Sequence, residues 1–165
     1  MQMQMQIQTA ARIIEFFREY NAHFKSLSIF VAKKQEKVVA DDLVWLSDAI
    51  AEEQKLVMRG NSLESRRLLL FEELGLKDYK SSQLIDEMPD EFKGELRLLI
   101  DFMEKCINYI QEVNHGILDL VEQKLDVQAQ LLNQNALVGS NTYTAKGEKI
   151  HKSIAIPDDD FLGKV

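Results

Sequence analysis

The chain has 165 residues, 45% of them hydrophobic and 28% charged, with 7 Gly and 2 Pro. That length suits one domain with a buried core, and so few turn-forming residues argue against a many-stranded fold. The formal net charge is −7 with basic residues scattered along the chain, which speaks against a nucleic-acid partner.

The opening Met-Gln alternation reads as a frayed end. From Ile7 a four-three apolar rhythm runs through Ala10, Ile14, Phe17, Phe24 and Val31, with Asn21 and Ser28 as polar interruptions. This predicts a first helix ending near Asn21 to Leu27. A second helix carries Val39, Leu43, Leu46, Ile50 and Val57 on one face, with Glu53 as the lapse. At Gly60 two readings stay open. Asn61 with Glu64 can form a capping box for a new helix, or the helix can run on at a cost of about 1 kcal/mol for the glycine. Gly75 suits the left-handed residue that closes a helix. A short turn from Gln83 to Glu87 follows, capped by Ser81 or Ser82, and Pro89 fits the first turn of a long last helix.

That last helix holds the strongest pattern of the chain. Leu96, Leu99, Met103, Cys106, Ile110, Val113, Ile117, Leu120, Val127 and Leu131 keep a repeat near 3.5 residues, and only Lys124 breaks the row. One seam is therefore expected to face a partner helix over the whole length. Leu118, Val121, Leu125 and Leu132 form a second row rotated from the first, and Leu137 and Val138 extend it. The row is either a wide core face shared among three helices or a groove for an amphipathic partner helix. The fold expected is all-α, an elongated antiparallel helical bundle or coiled coil with long second and last helices. Residues 1–138 form the bundle domain, and residues 139–165, rich in polar residues and ending near Asp158 to Asp160, form a flexible tail.

Little in the pattern supports chemistry. Glu112 with His115, and Glu148 with His151, repeat a Glu-x-x-His spacing, but the first pair points off the packed face and the helices supply no inward row of carboxylates. Phosphate loops and nucleophile elbows are missing from the sequence. Cys106 lies on the apolar seam, where a thiol acts as a small hydrophobe, and His23 and His151 read as solvated. No catalytic residue, metal or cofactor is expected. A single cysteine fits a reducing compartment, and no apolar run approaches the roughly 20 residues that span a bilayer, so the protein is expected in the cytoplasm without membrane insertion.

The stretch from Ala51 to Met58, then Leu63 to Arg67 and the close from Glu73 to Leu76, resembles the central helix of FlgN-type flagellar export chaperones. Val113 to Leu118 and the run to Leu131-Leu132-Asn133 are similar to that family's C-terminal helix, and Thr142 to Gly147 resembles its tail, with Tyr143 four residues before a glycine. The resemblance covers roughly residues 35 to 150; the Met-Gln start, the helix before Lys33 and the acidic end have no clear counterpart. It implies a non-enzymatic chaperone that binds terminal helices of hook-associated proteins, the hook–filament junction components, and delivers them to the type III export gate. The resemblance maps cargo binding onto Leu118, Val121, Leu125, Leu132, Leu137 and Val138, and Tyr143 is expected to dock to the export machinery. A structural coiled-coil adaptor is the rival reading, and monomer and homodimer are both left open.

Overall fold

Four helices account for nearly all of residues 5–135, the part of the chain that the computed structural model describes. They are α1 (Ile7–Val39), α2 (Leu43–Glu73), α3 (Ser81–Glu87) and α4 (Asp90–Asn135). The all-α bundle expected from the periodicity is the fold observed. The boundary placed after residue 138 lies outside the described residues.

The helix α1 runs on to Val39, well past the Asn21–Leu27 stop suggested by its polar interruptions. Those interruptions face the neighbouring helix. Asn21 is buried and donates from Nδ2 to the Leu99 carbonyl at 2.7 Å, while Ser28 bonds to the Lys25 carbonyl of its own helix at 2.7 Å. Those bonds satisfy the Asn21 N–H and the Ser28 hydroxyl, while Asn21 Oδ1 is buried without a hydrogen-bond partner among the described residues; the apolar rhythm is broken and the helix is not. Val39, read above as part of the second helix, is the last residue of α1.

A three-residue turn, Ala40 to Asp42, reverses the chain. Asp41 takes φ 54°, a left-handed conformation that Asp tolerates better than most side chains. Asp42 caps α2 by accepting the Trp45 amide at 3.0 Å and pairs with Lys37 at 2.9 Å. The far end of α2 closes on Gly75 at φ 70°. There Leu76 N–H reaches the Phe71 carbonyl at 2.7 Å and Gly75 N–H the Glu72 carbonyl at 3.1 Å, the Schellman pattern that satisfies two of the terminal carbonyls.

Between these ends α2 passes through Gly60 without a break, so the continuous reading is the observed one. Its reason is steric. A Cβ built on Gly60 would stand 2.9 Å from His23 Nε2. His23 is wholly buried, which corrects the reading of it as solvated. Its ring packs beside Phe24 with centroids 5.6 Å apart, and only a glycine leaves room for it against α2.

The helix α2 runs antiparallel to α1, as shown by the pairs Arg12–Glu73, Arg66–Glu19 and Lys34–Glu53. After the α3 turn, α4 runs parallel to α1 and antiparallel to α2: Arg18 meets Glu95, Asn21 meets Leu99 and Asp41 meets Lys124. The core is densest at the α3 end. There Ile13, Phe17, Tyr20 and Phe24 of α1 pack with Leu63 and Phe71 of α2, Leu84 of α3, and Leu96 and Met103 of α4.

Candidate helix-docking surface

The seam of α4 behaves as a packed face only as far as α1 lies beside it. Met103, Cys106, Ile110, Val113 and Ile117 are buried and Leu120 half-buried. Burial raises the Cys106 thiol above its usual range, which suits a packing residue. Beyond that point Val127 and Leu131 are exposed, and this corrects the expectation of one seam packed along its whole length. The cause is register. Since α1 ends at Val39 and Lys124 meets Asp41 just after it, everything from Leu125 to Asn135 overhangs the bundle. That overhang is roughly 17 Å long at 1.5 Å per residue.

Lys124, the one break in the seam, marks the crossover. Its ammonium pairs with Asp41 and reaches the Val39 carbonyl at 3.5 Å. A cation at the C-terminus of α1 meets carbonyls that have no intrahelical partner and the negative end of the helix dipole. An apolar residue here would have left those groups to water.

The second row is exposed as well. Leu118, Val121, Leu125 and Leu132 all show large apolar surface. Among the described residues the three-helix core reading therefore does not hold for them, and the two rows merge on the overhang into a broad apolar face. Leu137, Val138 and Tyr143 lie outside the described residues. Glu122, one turn from Leu118, borders the face, and helical spacing puts exposed Asp119 and Asp126 on the opposite side of α4; His115 lies 3.5 Å from Asp119.

Nothing comparable marks a reaction centre. Glu112 and His115 are exposed, and among the described residues no three His, Cys, Asp or Glu side chains converge as a metal site. The Glu148–His151 pair lies outside them. One shallow depression between α1 and α2 is lined by Phe16, Leu69 and Leu70 with Glu15, and edged by the Arg12–Glu73 and Arg66–Glu19 pairs, so both of its arginines are engaged by carboxylates. Among the described residues no helix is long and apolar enough to cross a membrane.

Among the described residues an apolar face is left open at one end of a bundle of long helices. The family model of the FlgN protein matches residues 3–150. The chain belongs to the FlgN family. FlgN proteins are flagellar export chaperones and not a family of enzymes, and they bind hook-associated proteins. The match takes in α1, which had no clear family counterpart by resemblance, and it stops before the acidic end at Asp158 to Asp160. No curated protein and no solved structure matches the chain.

Proposed function

We propose that this FlgN-family chain is a cytoplasmic chaperone that holds the terminal helices of unassembled flagellar hook-associated proteins and delivers them to the type III export apparatus. The observation that carries this reading is the exposed apolar row on α4 that runs from Leu118 onto the overhang. Leu118, Val121, Leu125 and Leu132 expose apolar surface that the chain does not cover with its own described residues, and burying such surface against an amphipathic helix supplies affinity without chemistry. Hook-associated helices that would otherwise pair with each other are held apart in this way. Leu137 and Val138 extend the contact toward the tail, and Tyr143 docks the loaded chaperone to the export gate.

The test is a double substitution, Val121→Asp with Leu125→Asp. Both positions are solvent-exposed in the free chain, so the melting temperature should hold. In the complex the carboxylates would be buried without counter-charges, at a cost of several kcal/mol. The expected result is lost affinity for a C-terminal fragment of a hook-associated protein. Full-strength binding would reject the surface. Tyr143→Ala should lower secretion of the cargo while leaving its binding intact.

A further inference from the structure

Resting on the cargo reading above, we propose that the docking surface has a second wall on α2, formed by Leu43, Ile50 and Val57. In this reading a cargo helix with a basic-flanked apolar stripe wedges between α2 and α4.

The level of the two walls is set by α1. Lys34 pairs with Glu53 of α2 at 2.8 Å, and its neighbour Gln35 lies so close to α4 that a Cβ on Gly116 would meet its amide nitrogen at 3.2 Å. Glu53 and Gly116 therefore stand opposite each other. One turn farther from the core, Ile50 comes level with Leu118 and Val121, and Leu43 comes level with Leu125.

The side of α2 follows from its ion pairs. Glu53, Gly60 and Glu64 face α1, while Arg66 and Glu73 pair with Glu19 and Arg12 along one flank. Helical spacing puts Leu43, Ile50 and Val57, seven residues apart, on the other flank, the one turned toward α4.

Burial along both walls then shows where the helices part. On α4 the series spaced by seven, Ile100, Ile107, Asn114 and Val121, goes from 3% and 4% exposed through half-buried Asn114 to 37% exposed, with Leu118 and Leu125 beside it at 56%. On α2, Val57 is half-buried, Ile50 is 50% exposed and Leu43 is 75% exposed. Both rows therefore come out into solvent toward the α1–α2 turn, while Val31 and Val38 of α1 stay buried. A helix laid between the two rows would complete a four-helix bundle. Glu122 borders the α4 row, Asp119 and Asp126 add negative charge on the outer side of the same helix, and Lys124 is engaged by Asp41. Lys or Arg flanking the apolar stripe of the occupant would match that negative charge.

The experiment measures affinity of the full chain for the C-terminal fragment of a hook-associated protein. Leu43→Asp with Ile50→Asp should weaken binding by at least about tenfold at unchanged melting temperature. Leu69→Asp, an equally exposed change on the opposite flank of α2, should leave it as it was. Photo-crosslinkers placed at Ile50 and at Leu125 should both attach to the same helix of the fragment, and Glu122→Lys with Asp126→Lys should lower affinity severalfold. Wild-type binding by the Leu43/Ile50 variant, with weakened binding by the Val121/Leu125 variant, overturns the second wall and leaves the cargo reading standing. Undiminished binding by both variants ends the cargo reading itself. Crosslinking at Ile50 to a second copy, or to the chain's own lysine-bearing residues 146–156 in the presence of the fragment, overturns the proposed occupant. Unchanged affinity of the Lys variant overturns its basic flanks.

Discussion

Glu64 stands where α2 meets α1, accepting the Tyr20 hydroxyl at 2.7 Å and both Arg67 Nε and a terminal nitrogen at 3.0 and 2.7 Å. Arg67 is buried, with its guanidinium 5.4 Å from the Phe71 ring centroid. Burial and the Glu64 carboxylate hold the Tyr20 phenol above its ordinary range. Removing the carboxylate deletes the bonds that the Tyr20 hydroxyl and the buried Arg67 guanidinium make to it, so Glu64→Ala should cost about 3 kcal/mol in a denaturant melt. Gly60 makes a second residue-scale test. Alanine is the better helix former by about 1 kcal/mol, yet its methyl would collide with His23; Gly60→Ala should therefore destabilise by roughly 1–3 kcal/mol. Burial, together with the charge of Arg59, pushes the His23 imidazole below 6.5. The unfolded chain takes up that proton near 6.5 and the folded chain only at lower pH, so its stabilising effect is complete above 6.5 and is lost as pH falls through the folded value, by up to about 1.4 kcal/mol per unit. Glu104, raised above 4.5 by burial and Asp101, titrates with the opposite sign. Melts of His23→Leu and the parent from pH 7.5 to 5.5 should separate the two, the variant losing less stability on acidification.

Two halves of one helix should respond differently to the same change. Ile110 is buried in α4 and Leu131 is exposed on its overhang. Ile110→Ala should cost roughly 2–5 kcal/mol through the cavity it opens, while Leu131→Ala should leave the melting temperature nearly unchanged and weaken cargo capture. The heptad row made α4 legible as a helix from Phe92 to Leu131, and Gly75 and Pro89 placed its neighbours correctly. Where the row stops being core was not legible, because that depends on where another helix ends. The early stop given to α1 shows the reason: Asn21 looks like an interruption until the Leu99 carbonyl is known to lie within 2.7 Å of it. His23 and Gly60 explain each other only once two residues far apart in sequence are side by side. Lys124 was visible as an anomaly from spacing alone, and its role at the end of α1 needed the register. The outward rows on α4 could be listed from the sequence, but whether anything covered them could not.

At the scale of the whole molecule, the aromatic core and the proposed capture surface occupy opposite ends. The aromatic core lies toward the α3 end, and the open apolar surface lies beyond the α1–α2 turn. A chain ending at Lys124 keeps every buried residue of α4, so it should melt with the full-length protein and fail to bind the hook-associated fragment. Calorimetry and a binding titration on the same sample check both halves of that statement. The first described residue fixes the polarity of the rod: Met5 N–H bonds to the Glu87 carbonyl at 3.2 Å, beside α3. With α1 about 50 Å long, an affinity handle or fluorophore attached ahead of Met5 sits that far from the open surface. Immobilisation through the amino terminus should therefore present the capturing end outward to a sensor, whereas a label fused after Asn135 would crowd it.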